Sequence, residues 1–210
     1  MVIKAWFEET VALSGFPTRR TIHPVRRIDL RKADLKLLLA LPGVAMMLIG
    51  YGACRWLGLP LSDAPLEVTV FATLTAFFIA AALSAFFESF VPSFRLAGGS
   101  LEGAVRQLKL TPLWAMALSL TSAVGEELFF RGFLLGLGLT FLPVWGAVLA
   151  QAVLFAAFHP APRAAWAYPL WTGLIGAWFG IITMASGSVV PGILAHYVFN
   201  HLNFNQLLDV

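Results

Sequence analysis

Residues 68–87 of this 210-residue chain run for twenty positions without one charged side chain. As an α-helix rising about 1.5 Å per residue, such a run is about 30 Å long, the thickness of the hydrocarbon core of a bilayer. In that solvent every backbone amide must find its partner inside the protein, which leaves a helix as the local structure of an isolated apolar run. The same reading applies to residues 35–57, 66–90, about 112–139, 143–158, 164–185 and 189–208. The expected fold is therefore all-α, a polytopic transmembrane helical bundle of about six spans. Composition agrees: 59% of residues are hydrophobic and 12% charged, against about a quarter charged in soluble domains.

The basic residues are unevenly placed. Eight of the fourteen lysines and arginines precede Leu37, namely Lys4, Arg19, Arg20, Arg26, Arg27, Arg31, Lys32 and Lys36. Beside a first span, such a segment reads as a cytoplasmic flank on anionic headgroups rather than a nucleic-acid surface. The division expected is a basic interfacial segment, 1–34, and a membrane domain, 35–210. Residues 1–34 have no apolar core of the signal-peptide kind, so the first span is expected to be an uncleaved anchor. With six spans and the N-terminus inside, inner segments hold twelve basic residues (those eight, Arg95, Arg106, Lys109 and Arg163) and outer ones only Arg55. This predicts a multi-pass protein, of a cell's inner membrane, with both termini cytoplasmic. Thr111-Pro112 reads as an N-cap followed by proline at the first helical position. The spacings Gly132/Gly136 and Gly176/Gly180 read as close helix-packing faces. Cys54 reads as a small buried hydrophobe.

Polar side chains inside these helices need a reason, since a charge at the bilayer centre costs about 2.5–3.5 kcal/mol on insertion scales. Glu126, Glu127 and Arg131 share one helix. Glu127 and Arg131 are four apart, with the acid N-terminal, and can pair; a buried ion pair that fixes packing is the bland and favoured explanation. Glu126 lies about 100° round from Glu127 on an α-helix and is left to face something else. His159 ends the fourth apolar run, before a proline, where a lone histidine would be an interfacial or capping residue. His196 and Asn200 are four apart on the last helix, and Asn203 extends their stripe; by themselves they could bond across helices. His201 lies about 140° round from His196, and Glu88 near a span end, so both are set aside, as is His23 in the basic flank. Together, a carboxylate, two imidazoles and an amide on three helices are what is needed to activate a water and hold an oxyanion.

The ordered set Glu126-Glu127-x-x-x-Arg131, Phe155-x-x-x-His159 and His196-x-x-x-Asn200 resembles the CPBP family of intramembrane proteases, which includes the type II CAAX prenyl endopeptidases and the bacterial Abi proteins. The likeness spans roughly residues 112–205, with no departure at the fixed positions. It implies an intramembrane endopeptidase in which Glu126 and His159 activate water while His196 and Asn200 polarise the scissile carbonyl. Glu127 and Arg131 would support the site. The family is often called metalloproteases, in which case Glu126, His159 and His196 would hold Zn2+. The chain lacks HExxH, and a metal-free glutamate mechanism with the same residues is the alternative, favoured because Asn200 is a poor zinc ligand and Glu126 is a sufficient base. The partners implied are a membrane-associated protein or peptide substrate and the lipid bilayer. Rival readings are a small proton-coupled transporter, for which internal repeats are expected and not found, and a non-catalytic immunity or scaffold protein, for which a broken motif is expected and not found.

Overall fold

In a computed structural model the residues described are 32–59, 61–62 and 64–208. The basic segment expected over 1–34 lies almost wholly outside them, as does His23.

Each expected apolar run is helical. Helix α1 spans Lys32–Leu57, α2 Leu66–Phe90 and α3 Pro92–Gln107. The long helix α4 covers Pro112–Gly138, followed by α5 (Val144–Ala157), α6 (Ala167–Ser186) and α7 (Val190–Asn205). By length and composition, α1, α2, α4 and α6 are long and apolar enough to cross a membrane. The other two runs form shorter helices, of 14 residues in α5 and 16 in α7. Prolines set the first limit: Pro143 opens α5, while Pro160 and Pro162 follow its end and cannot continue a helix. Gly187, left-handed at φ 68°, ends α6 and turns the chain into α7.

The residues at 92–111, expected as an interfacial segment, form the amphipathic α3 and the turn after it. Arg95 donates from Nη1 to the carbonyls of Glu88 and Ser89, at 2.7 and 3.1 Å, and so closes the C-terminal end of α2. The Thr111 hydroxyl accepts from the Trp114 amide at 3.4 Å, the cap that its sequence announces.

The outer surface is what lipid requires. Leu48, Phe71 and Val153 are 65%, 73% and 67% exposed, an outward apolar face that would be costly in water. Inside, small residues let backbones meet. A Cβ on Gly50 of α1 would stand 2.7 Å from the Leu128 carbonyl carbon and the Phe129 nitrogen, and one on Gly43 2.7 Å from the Thr121 carbonyl oxygen. Helix α1 thus lies directly on the α4 backbone. Gly176 and Gly180 bring α6 onto α5 at Phe155 and Gln151, and Gly132 receives Cys54, which is fully buried. Ala72, Ala76 and Ala80 of α2 pack with Ile175, Phe179 and Ile182 of α6 and Ala195 of α7. Helix α4 is thereby held between α1 and α7, with α5 and α6 beyond.

Candidate active site

Helix α4 changes character at the site. Residues 112–126 are α-helical, Glu127–Leu134 form a π-helix and Leu135–Gly138 return to α. Wide turns of this kind are rare and gather at functional sites. Glu126 is the last residue before the wide turn and Glu127 the first within it.

The two glutamates have separate surroundings. The Glu127 and Arg131 side chains are both 0% exposed, and Arg131 Nη1 donates to Glu127 Oε1 at 3.1 Å. Arg131 Nη2 reaches the Gly176 carbonyl at 3.4 Å, which also accepts from Gln151 Nε2 at 2.8 Å. The guanidinium lies 4.3 Å from the centre of the Phe155 ring, an attractive arrangement when desolvated. Glu127 Oε1 has a second donor, His196 Nδ1 on α7, at 2.9 Å. Gly192 of α7 makes room for this carboxylate: a Cβ there would lie 2.9 Å from Glu127 Oε2.

Glu126 is 12% exposed and faces a cavity of about 540 Å³. Its Oε2 stands 3.8 Å from Nε2 of His159 and 3.8 Å from Nε2 of His196. Both imidazoles are oriented by their other nitrogen. His159 Nδ1 lies 2.8 Å from the Phe155 carbonyl, which can only accept, so Nδ1 carries the proton and Nε2 turns its lone pair to the cavity. His196 Nδ1 donates to Glu127. Asn200, one turn beyond His196, reaches Ser122 at 3.3 Å, and Ser122 donates to Glu126 Oε1 at 2.6 Å.

The structure therefore brings Glu126, His159, His196 and Asn200 to the wall of one cavity, with Glu127 and Arg131 behind. Asn203 lines the same cavity but donates to the Phe199 carbonyl at 2.9 Å. Glu88 lies on the cavity's exposed side. His201 is bonded to Asn205 at 2.9 Å and stacked on Tyr197, away from the cluster. Sequence reasoning did not single out Ser122, although its place one turn before Glu126 was visible. Nor did it find the π-helix, which shifts the angular spacing on which an α-helical projection of Glu126 and Glu127 depends.

Carboxylate and imidazole are apt ligands for zinc, and both imidazoles have a held second nitrogen. A tetrahedral zinc with bonds of about 2.0–2.2 Å places its donor atoms about 3.3–3.6 Å apart; here Glu126 Oε2 is 3.8 Å from each imidazole. Among the described residues no three His, Cys, Asp or Glu side chains are grouped to hold a metal ion. As placed, these two separations are slightly wider than those of a tetrahedral zinc site, and Glu126, His159 and His196 are the residues that would supply its ligands.

Fold and site define a class, an all-helical integral membrane protein with a carboxylate–imidazole cluster facing an internal cavity. The family is met in residues 108–202, which match the family model described as Type II CAAX prenyl endopeptidase Rce1-like. The matched stretch holds Glu126 to Asn200, and a likeness to this family is what the three motifs led one to expect. No curated protein and no solved structure matches the chain.

Proposed function

We propose that this protein is an intramembrane endopeptidase that hydrolyses a peptide bond of a membrane-associated protein or peptide, with a water activated by Glu126 and His159. The observation that carries the reading is the pair of 3.8 Å separations from Glu126 Oε2 to the two imidazole Nε2 atoms. They are too long for direct hydrogen bonds and short enough for one water to bridge. Such a water donates one hydrogen to Glu126 and one to the bare Nε2 of His159, and turns a lone pair toward the scissile carbonyl carbon.

Charge balance assigns His196. Glu126 and Glu127 against Arg131 leave one negative charge in an apolar surround, and an imidazolium at His196 cancels it. Its Nδ1–H is held by Glu127, so Nε2–H points into the cavity. With the Asn200 amide it forms a pair of donors for the oxyanion. In the reaction Glu126 takes a proton from water as the hydroxide adds to the carbonyl carbon. The tetrahedral intermediate then collapses, the C–N bond breaks, and the proton passes from Glu126 to the departing amine. The arrangement parallels the use of a buried acid to orient a histidine in serine hydrolases, with water in place of a protein nucleophile. No step runs through a metal. Were zinc taken up, Glu126, His159 and His196 would hold it and it would supply Lewis acidity to the carbonyl.

The proposed setting is a cell's inner membrane with both termini cytoplasmic, on the strength of the basic-residue bias. The substrate reaches the site through or beside the bilayer. The test is a comparison of protein termini in membranes from cells making the wild-type chain, Glu126→Ala or His159→Ala. New termini with the wild-type chain, missing with both variants at equal membrane levels, are expected. Identical termini in all three sets would contradict the reading.

A further inference from the structure

Ser122 sits one turn before Glu126 on α4. Other hydroxyls in these helices hand their proton to the carbonyl one turn back, among them Ser119 to Ala115 at 2.7 Å and Thr121 to Ala117 at 2.9 Å on the same helix, and Ser186 to Ile182 at 2.8 Å on α6. Where no water competes, that return bond is the default for a helical serine or threonine. Ser122 points the other way and donates forward to Glu126 Oε1 at 2.6 Å.

A hydroxyl has one hydrogen to give. With it committed to the carboxylate, Ser122 can only accept from Asn200, so the group facing it at 3.3 Å is the amide NH2 and not the amide carbonyl. Two orientations are therefore set by one side chain. Glu126 is tied at Oε1, leaving Oε2 to face the two imidazoles. Asn200 is turned so that its donors point into the site, with the second N–H left for an oxyanion. An amide turned by half a rotation would set a carbonyl oxygen against developing negative charge.

We infer that Ser122 is a positioning residue of the proposed peptidase, holding the Glu126 carboxylate and the Asn200 amide in the orientations the hydrolysis uses. This rests on the peptidase reading of Glu126. Ser122 touches neither the bridging water nor the scissile bond, and acts through its two partners.

The test uses the full chain in detergent with a quenched-fluorescent peptide ending in a prenylated CAAX tail. Ser122→Ala is expected to lower kcat about tenfold to a hundredfold, the usual effect of losing a group that orients a reacting side chain. KM and the thermal midpoint stay at wild-type values, because alanine suits a helix and leaves packing intact. Ser122→Thr restores most of the lost kcat. On an Asn200→Ala background the Ser122→Ala effect shrinks, since one of its two targets is gone. Wild-type kcat in Ser122→Ala, a change in KM alone, a fall in thermal midpoint matching the fall in kcat, or no recovery in Ser122→Thr each overturns the inference. Glu126→Ala run alongside separates the two ideas. An inactive Glu126→Ala beside a normal Ser122→Ala sinks the role of Ser122 alone, whereas an active Glu126→Ala sinks the peptidase reading.

Discussion

His196 on α7 reaches across to α4 and hydrogen-bonds Glu127, Nδ1 to Oε1 at 2.9 Å. The glutamate that pairs with Arg131 is thereby also the group that orients an imidazole of the cavity. Support and reactivity meet in one buried carboxylate.

Glu127→Gln tests that double duty. The amide keeps the shape of the side chain but removes the charge facing both His196 and Arg131. We expect kcat to drop tenfold or more together with a lowered thermal midpoint in detergent. A lowered midpoint with undiminished kcat would confine Glu127 to packing.

Arg131→Ala leaves Glu127 buried without its guanidinium. Breaking one side of a buried pair costs about 3–5 kcal/mol, and Arg131 also covers Phe155 at 4.3 Å. Folded yield and resistance to denaturant in micelles are expected to fall sharply. Wild-type stability in this variant contradicts the role assigned to the pair.

Gly192→Ala is a steric probe. The added methyl would lie 2.9 Å from Glu127 Oε2, so the carboxylate must give way and His196 with it. Alanine is otherwise the better helix residue by roughly 0.5–1 kcal/mol. The expected outcome is slower turnover in a protein that still folds, measured as kcat beside a thermal scan. Unchanged kcat shows that the close approach does not matter to the site.

Metal removal is the fourth probe. Because the proposed hydrolysis uses Glu126 as its base and routes no step through a metal, cleavage is expected to survive prolonged treatment with a strong chelator, and element analysis of the purified chain should find far less than one zinc per protein. Loss of activity on chelation, restored by zinc, would overturn the metal-free scheme.

Much of this molecule is legible in its sequence, for identifiable reasons. Apolar runs between polar turns announce the helices because lipid permits little else. Gly176 and Gly180 announce their packing face because a glycine spacing of four repeats on one side of a helix. The grouping of Glu126, His159, His196 and Asn200 was legible because charged and polar groups are rare in such helices. What was not legible depends on geometry between helices. Nothing in ELFFRGFL marks a π-helix. The bond from His196 to Glu127 requires the crossing of α4 and α7. Ser122 was passed over because a serine in an apolar helix ordinarily returns its hydroxyl to the backbone, as Ser119 does at 2.7 Å. The expected bounds of α5 and α7 run slightly past the helices, which end at Ala157 and Asn205, because apolar residues such as Phe158 and Leu207 continue into the turns that follow.

The central claim is that Glu126 takes the proton of the attacking water, and Glu126→Gln addresses it most directly, since the variant keeps the size of the side chain and removes the base. Purified wild-type and variant chains in liposomes are compared for kcat on a prenylated CAAX peptide. The account predicts a fall of about 10²–10⁴-fold, the usual worth of a general base, with KM and thermal midpoint unchanged. Turnover by Glu126→Gln at the wild-type rate would contradict it.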